Sequence, residues 1–203
     1  MNAAEAAAQT PATGRSAGRL QTVVVLVVAA VVIGLAAFLI GGAGQGSDGL
    51  TQVNLTGDVA NAAPTVGGIP PDFTATTYDG KTVKLSDYAG KPLWLTFGAS
   101  WCPDCRAEAP DVQAAYQKYR PQGLSILGVF ISESASDVAG YAGRASLTFP
   151  IVVDQRTVIA STYRTMGIPT HFFIGADGKI KDVRIGALDV ATMDREIQAI
   201  LGK

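Results

Sequence analysis

The sequence predicts an α/β domain, a sheet covered by helices, carried behind a single apolar N-terminal helix. Three observations predict it. From residue 64 onward, strand-length apolar runs alternate with helical stretches, and a hairpin closes the order. An uncharged apolar run, Thr22 to Ile40, stands ahead of that domain. Between them lies a stretch with few large apolar residues. At 203 residues the chain is long enough for one ordinary domain and an appendage. No internal repeat is visible.

The N-terminal elements come first. At 1.5 Å rise per residue, about twenty apolar residues cross a hydrocarbon core of roughly 30 Å. Apart from Thr22 and Gly34, residues 22–40 are wholly apolar, without the polar face that a helix of a soluble domain keeps. Arg15 and Arg19 precede the run, and no Lys or Arg follows until Lys81. By the positive-inside rule, residues 1–21 form a short cytoplasmic N-terminus and the rest is exported. A cleavable signal peptide is the competing reading, but its apolar region is normally about 7–15 residues. The longer run favours an uncleaved anchor over 22–40. The expected location is the cell membrane, single-pass, with the C-terminal domain on the periplasmic or extracellular side.

Residues 41–63 are rich in Gly, Ala, Asn and Asp, and cannot bury enough surface to offset ordering entropy. They read as a flexible linker, reaching roughly 25–30 Å at about 5–6 Å × √n. The triplet Asn54 to Thr56 matches a glycosylation acceptor. Such triplets arise often by chance and matter only in a eukaryotic secretory pathway.

Residues 64–203 carry the domain. "DFTATTYDGKTVKL" reads as two short strands around an Asp79-Gly80 turn. "PLWLTFGA", Pro92 to Ala99, is a near-continuous apolar run, as in a strand with both faces covered. A helix is expected from Pro103 to Tyr119, kinked at Pro110. Gly123 to Ile131 is a second buried strand, followed by a helix near Ser136 to Ala145. "FPIVVD" reads as a strand, and "RTVIASTYRTM" as a helix closed by Gly167. A hairpin turning at Asp177-Gly178 follows. The last helix starts on Asp189 as N-cap and spaces Val190, Met193, Ile197, Ile200 and Leu201 along one face.

A formal net charge of −1 gives no basic surface for nucleic acid and no acidic tail. Only two cysteines occur, in "ASWCPDCRAEAP", so covalent staples do not hold this fold. A disulfide between Cys102 and Cys105 would close almost no loop and stabilise little. A structural zinc site wants four ligands, and beyond this pair the chain offers the lone histidine, His171, which also reads as an ordinary strand residue. The redox reading explains the local details. Cys102 falls where a buried strand gives way to a helix, with Pro103 at its first position. Unpaired N–H groups and the macrodipole at that end favour a thiolate. Cys105, one turn later on the same face, is placed to attack a mixed disulfide formed at Cys102. Cys102 is then the exposed nucleophile and Cys105 the resolving thiol. Trp101 either covers the dithiol or is a plain core aromatic.

"WCPDC" after "LWLTFGAS", with "GIPTHFFIGADGKI" downstream, resembles the thioredoxin superfamily. The closer resemblance is to membrane-tethered thiol-disulfide oxidoreductases of the TlpA/ResA/CcmG type. It is carried also by "PDFTATTYDGKTVKLSDYAGKPLWLTF", "CRAEAP" and "FPIVVD", and covers about residues 66–203. It implies a thioredoxin-like fold, a mixed central sheet flanked by helices. It implies that Ile168-Pro169 is a cis bond whose loop faces the dithiol, with Ile168 and Thr170 beside Pro169 serving substrate binding. Thioredoxins carry a buried Asp six residues before the first cysteine, where this chain has Thr96. In ResA-like proteins a Glu at the end of the next strand serves nearby, and "FISES" puts Glu133 there. Asp104, between the cysteines, opposes a Cys102 thiolate and favours a reducing couple, with Arg106 offsetting part of its charge.

The resemblance implies reduction of disulfides in exported proteins, in cytochrome c maturation or copper-site assembly, without a bound cofactor or metal. It implies two partners: an oxidised exported protein and a transmembrane thiol donor of the CcdA/DsbD kind. A monomer is expected. The alternative on the same fold is a Sco-like copper chaperone, which spaces its cysteines as CxxxC and adds a later histidine; here the spacing is CxxC, with His171 after "IPT". A thiol peroxidase would need proline at position 95 and threonine at 99, where Leu95 and Ala99 stand.

Overall fold

Strand β4, Leu93–Gly98, is buried at every position and forms the middle of the sheet. The computed structural model describes residues 24–32, 52–56 and 63–203. The chain divides into two units, Met1–Asp48 and Gly49–Lys203. In the first, residues 24–32 form helix α1 with exposed side chains; the rest of the expected anchor lies outside the described residues. Among the described residues, no helix is long and apolar enough to cross a membrane.

In the second unit, β4 pairs in parallel with β5, Ser125–Ile131, and β5 in parallel with β6, Ile151–Asp154. On its other side β4 pairs antiparallel with β7, Thr170–Ile174, and β7 with β8, Ile180–Ile185. The order β6-β5-β4-β7-β8 is a mixed sheet. A second sheet, β1-β2-β3, is antiparallel, with β2 at Asp72–Thr76 and β3 at Thr82–Lys84. Its first strand, β1, is Val53–Thr56, inside the stretch expected to be linker. Its residues alternate as a strand's do: Val53 and Leu55 are partly buried against the core while Asn54 is exposed.

Strand parity divides the core. Leu93, Leu95 and Phe97 face a cluster with Phe73, Ile159, Tyr163 and Phe172. Trp94 faces the other cluster, built with α2 (Pro103–Tyr119), α3 (Ala135–Arg144) and α5 (Val190–Ile200). Gly128 in β5 lets that packing close up, since a Cβ there would lie 3.1 Å from Ile151 Cγ1 and 3.4 Å from Phe149 Cε2.

Helix α2 runs unbroken through Pro110, which lies on its exposed side. The carbonyl that loses its N–H partner there can turn to water. The helix expected over "RTVIASTYRTM" is shorter, α4 at Val158–Thr162. It is closed at Arg164, with φ 53°, not at Gly167. The Thr165 N–H donates to the Ala160 carbonyl and the Arg164 N–H to Ser161, a Schellman closure made without glycine. Helix α5 starts as expected, the Thr192 N–H donating to Asp189 Oδ1 at 2.7 Å. Met193, Ile197 and Ile200 are buried, whereas Val190 is 52% exposed and leaves the expected face.

Candidate active site

Cys102 is the N-cap of α2, extended at φ −79° and ψ 121°, with Pro103 opening the helix. This follows from the local sequence: proline's fixed φ suits the first helical position, and its missing N–H is not needed there. The Cys105 N–H donates to Cys102 Sγ at 3.2 Å, so the thiol takes a helix-end donor. The sulfur also lies 3.7 Å from the Ile168 carbonyl oxygen. Both cysteines are free thiols. Cys102 is only 4% exposed and Cys105 7%, so the expectation of an exposed nucleophile is corrected. What distinguishes the two sulfurs is what they face. Cys102 meets the Ile168 loop, while Cys105 lines a small cavity on the other side.

The Ile168–Pro169 bond is cis. Ile168 packs on Ala99, Cys102 and Cys105. The Gly186 N–H donates to the Pro169 carbonyl at 2.8 Å, and the Thr170 hydroxyl to Gly167 at 2.6 Å, fixing both ends of the loop. Trp101 is 53% exposed and so is no core aromatic; it stands beside Cys102 at the surface. Asp104 is also exposed, where water screens its charge.

Glu133, by contrast, is buried. Its Oε1 accepts the Ser100 N–H at 2.8 Å and its Oε2 the Ser100 hydroxyl. Burial pushes its carboxyl above the usual range, and the two Ser100 bonds pull against that. Arg106 Nη1 donates to the Ser100 carbonyl at 3.1 Å. Glu133 therefore ties the end of β5 to the segment leading into Cys102. Both its oxygens are occupied there, not at Cys105.

The carboxylate that bears on Cys105 belongs to Glu108. Burial pushes the Cys105 thiol well up, the hydrogen bond to Cys102 adds to this, and the charges of Cys102 and Glu108 push the same way. Glu108 lies three residues after Cys105 on the same buried helix face. Both line a cavity of about 20 Å³ together with Thr96, Gly98, Phe130 and Phe149. The sequence carried a signal for it: an acid at i+3 from a cysteine on the helix's inner face. His171 belongs to the same region. Its Nδ1 lies 3.2 Å from Trp94 Nε1 and 3.0 Å from Thr96 Oγ1, and its Nε2 is 3.5 Å from Glu108 Oε2. The ring is thus turned to Trp94, Thr96 and Glu108. Among the described residues no three His, Cys, Asp or Glu side chains gather in a group that could hold a metal ion.

Residues 66–183 match the AhpC/TSA family. The chain is 36% identical over 138 residues to the thiol-disulfide oxidoreductase ResA of Geobacillus kaustophilus, covering 68% of this chain and 79% of that protein. It is 35% identical over 134 residues to ResA of Oceanobacillus iheyensis, covering 64% and 68%. Among solved structures, a thioredoxin-family thiol:disulfide interchange protein from Chlorobium tepidum superposes with TM-score 0.61 at 29% identity, over 70% of this chain and all of that one. StoA from Bacillus subtilis does so with TM-score 0.55 at 26% identity, over 63% and 97%. With a CxxC at a helix N-terminus, a facing cis-proline loop and a thioredoxin-like sheet, the chain belongs to the AhpC/TSA family and, within it, to the thiol-disulfide oxidoreductases of the ResA type.

Proposed function

We propose that this oxidoreductase works as a reductase of disulfides in exported proteins, held at the membrane by residues 22–40 with its dithiol outside the cytoplasm. The observation that carries the direction is the burial of Cys105 beside Glu108. Strong oxidants of this fold owe their potential to a stabilised reduced form. Here the surroundings of the resolving thiol work against its thiolate, which removes one source of that stabilisation.

The exchange proceeds in two steps. A Cys102 thiolate attacks one sulfur of the substrate disulfide, forms a Cys102–substrate disulfide and releases the first substrate thiol. Cys105 then gives up its proton and attacks Cys102 Sγ. The Cys102–Cys105 bond forms, the bond to substrate breaks, and the second substrate thiol leaves. Two electrons pass from the dithiol to the substrate. Glu108, on the wall of the shared cavity, is the base placed for the Cys105 proton. Ile168 offers backbone groups to an extended substrate strand, and Trp101 offers an exposed apolar face beside it. An exported domain has no cytosolic thiol to draw on, so its dithiol is restored by a membrane thiol carrier of the CcdA/DsbD kind. Oxidised apocytochrome c or a copper-site protein has the substrate chemistry required.

The reduction potential tests the direction. A value near thioredoxin's, about −270 mV, is expected; a value above about −180 mV, in the range of disulfide isomerases, would overturn the reductase reading. Location is tested separately. The full chain is expected to sediment with membranes and to keep Met1 to Ile40 by intact mass. A mature start near Ala43 or Ala63 would make that segment a signal peptide.

A further inference from the structure

His171 is fully buried, yet it carries two ring nitrogens into the cluster beneath the dithiol. The indole N–H of Trp94 can only donate, so Nδ1, 3.2 Å away, must accept. The Thr96 hydroxyl meets the same nitrogen at 3.0 Å. In the neutral ring the proton therefore sits on Nε2. That nitrogen makes no hydrogen bond within the fold, and Glu108 Oε2 lies 3.5 Å from it. The same Oε2 accepts the Leu188 N–H at 3.1 Å. Leu188 N–H and His171 Nε2 thus both approach Oε2, and only the first bonds to it. Were His171 there only to fill space, an apolar ring like those of Phe172 and Phe173 would do so without a buried N–H needing a partner.

We propose that His171 is a positioning residue for the resolving step: fixed by Trp94 and Thr96, its unpartnered Nε2–H faces the Glu108 carboxylate and closes on it to keep it at the wall of the cavity that Cys105 shares. His171 touches no reacting sulfur and acts only through Glu108. The inference rests on the reading of Glu108 as the base for the Cys105 proton. The titratable and charged groups that bear on the cluster are Cys102, Cys105, Arg106 and Glu108 at the start of α2, Tyr141 from α3, and Arg184 from β8. Arg184, opposite His171 in the sheet, is already paired with Asp182 and Glu196. That leaves Glu108 as the acid the ring addresses.

The chain contains a single histidine, so the imidazole nitrogen spectrum of the full chain labelled at histidine reports this ring alone. A bare Nδ1 and a protonated Nε2 are expected; a ring protonated at Nδ1 would overturn the proposal. Kinetics supply the second arm. Loading Cys102 with thionitrobenzoate and following its release by Cys105 reads the resolving step directly. A positioned base contributes about 10²–10⁴-fold, and His171→Leu is expected to forfeit roughly tenfold of it near pH 7. The deficit should shrink as pH rises and hydroxide takes over the proton. His171→Gln, which can still accept from Trp94 and donate to Glu108, should restore most of the rate. With Glu108→Gln already present, His171→Leu should add nothing. If Glu108→Gln is slow but His171→Leu keeps the native rate and pH profile, or the two losses multiply, the proposal fails alone. If Glu108→Gln resolves at the native rate, the base assignment falls first and the proposal with it. The ring tautomer is read on the unaltered chain, so it decides even where His171→Leu does not fold.

Discussion

Cys105→Ser is expected to convert the protein from a turnover catalyst into a trap, accumulating about one mixed disulfide per chain at Cys102. Cys102→Ser should abolish exchange. The asymmetry follows from the site. Cys102 Sγ sits at the start of α2, accepts the Cys105 N–H and lies against the Ile168 loop where a substrate strand would run. Cys105 faces inward to the cavity. A serine at 105 can still donate its N–H to Cys102, but its hydroxyl does not displace a thiol from a disulfide. The Cys102–substrate bond then persists until an outside thiol cleaves it. Mass spectrometry of the chain incubated with an oxidised protein, before and after reductant, reads the adduct. If Cys105→Ser releases reduced product without an adduct, or Cys102→Ser traps one instead, the order of attack is reversed.

Phe97→Ala is expected to lower stability by about 3–5 kcal/mol. Phe97 is fully buried, with ring centroids 5.2 Å from Tyr163 and 5.7 Å from Phe172. Removing it opens a cavity among groups held by β4, β7 and α4, which cannot all move in to fill it. For a domain of this size the melting temperature should fall by roughly 6–20 °C. Val190→Ala, on the exposed first turn of α5, should change stability by about 0.5 kcal/mol or less. A Phe97→Ala loss as small as the Val190→Ala change, by calorimetry or urea unfolding, would mean the core is less tightly packed around β4 than its burial implies.

The strands flanking the site were legible because buried strands are nearly all apolar, and α2, α3 and α5 because N-caps and one-sided apolar spacing mark them. The dithiol was legible because its two residues and Pro103 are adjacent in the chain. What escaped was set by register. His171 meets Thr96 only because β7 pairs antiparallel with β4 at that position, and Glu108 comes near His171 only because α2 lies over that face. No local window contains those three residues. Strand β1 escaped for a different reason: four residues alternating in a Gly-rich stretch look like a tether until β2 offers an edge. Helix α4 is shorter than its sequence pattern suggests because Arg164 takes a left-handed backbone that favours glycine, so the chain turns three residues before Gly167.

The chain's two tryptophans sit in opposite surroundings. Trp94 is sealed in the core, stacked on Phe173 at 5.2 Å and donating to His171. Trp101 is half open to water beside the reactive sulfur. The molecule therefore carries two built-in optical probes that do not duplicate each other. A quencher dissolved in water reaches Trp101 and not Trp94, so the quenchable part of the emission tracks whatever covers the mouth of the dithiol. The shielded part keeps its short-wavelength emission until the sheet itself comes apart. Docking and unfolding are separable by colour in the same cuvette, with no label attached.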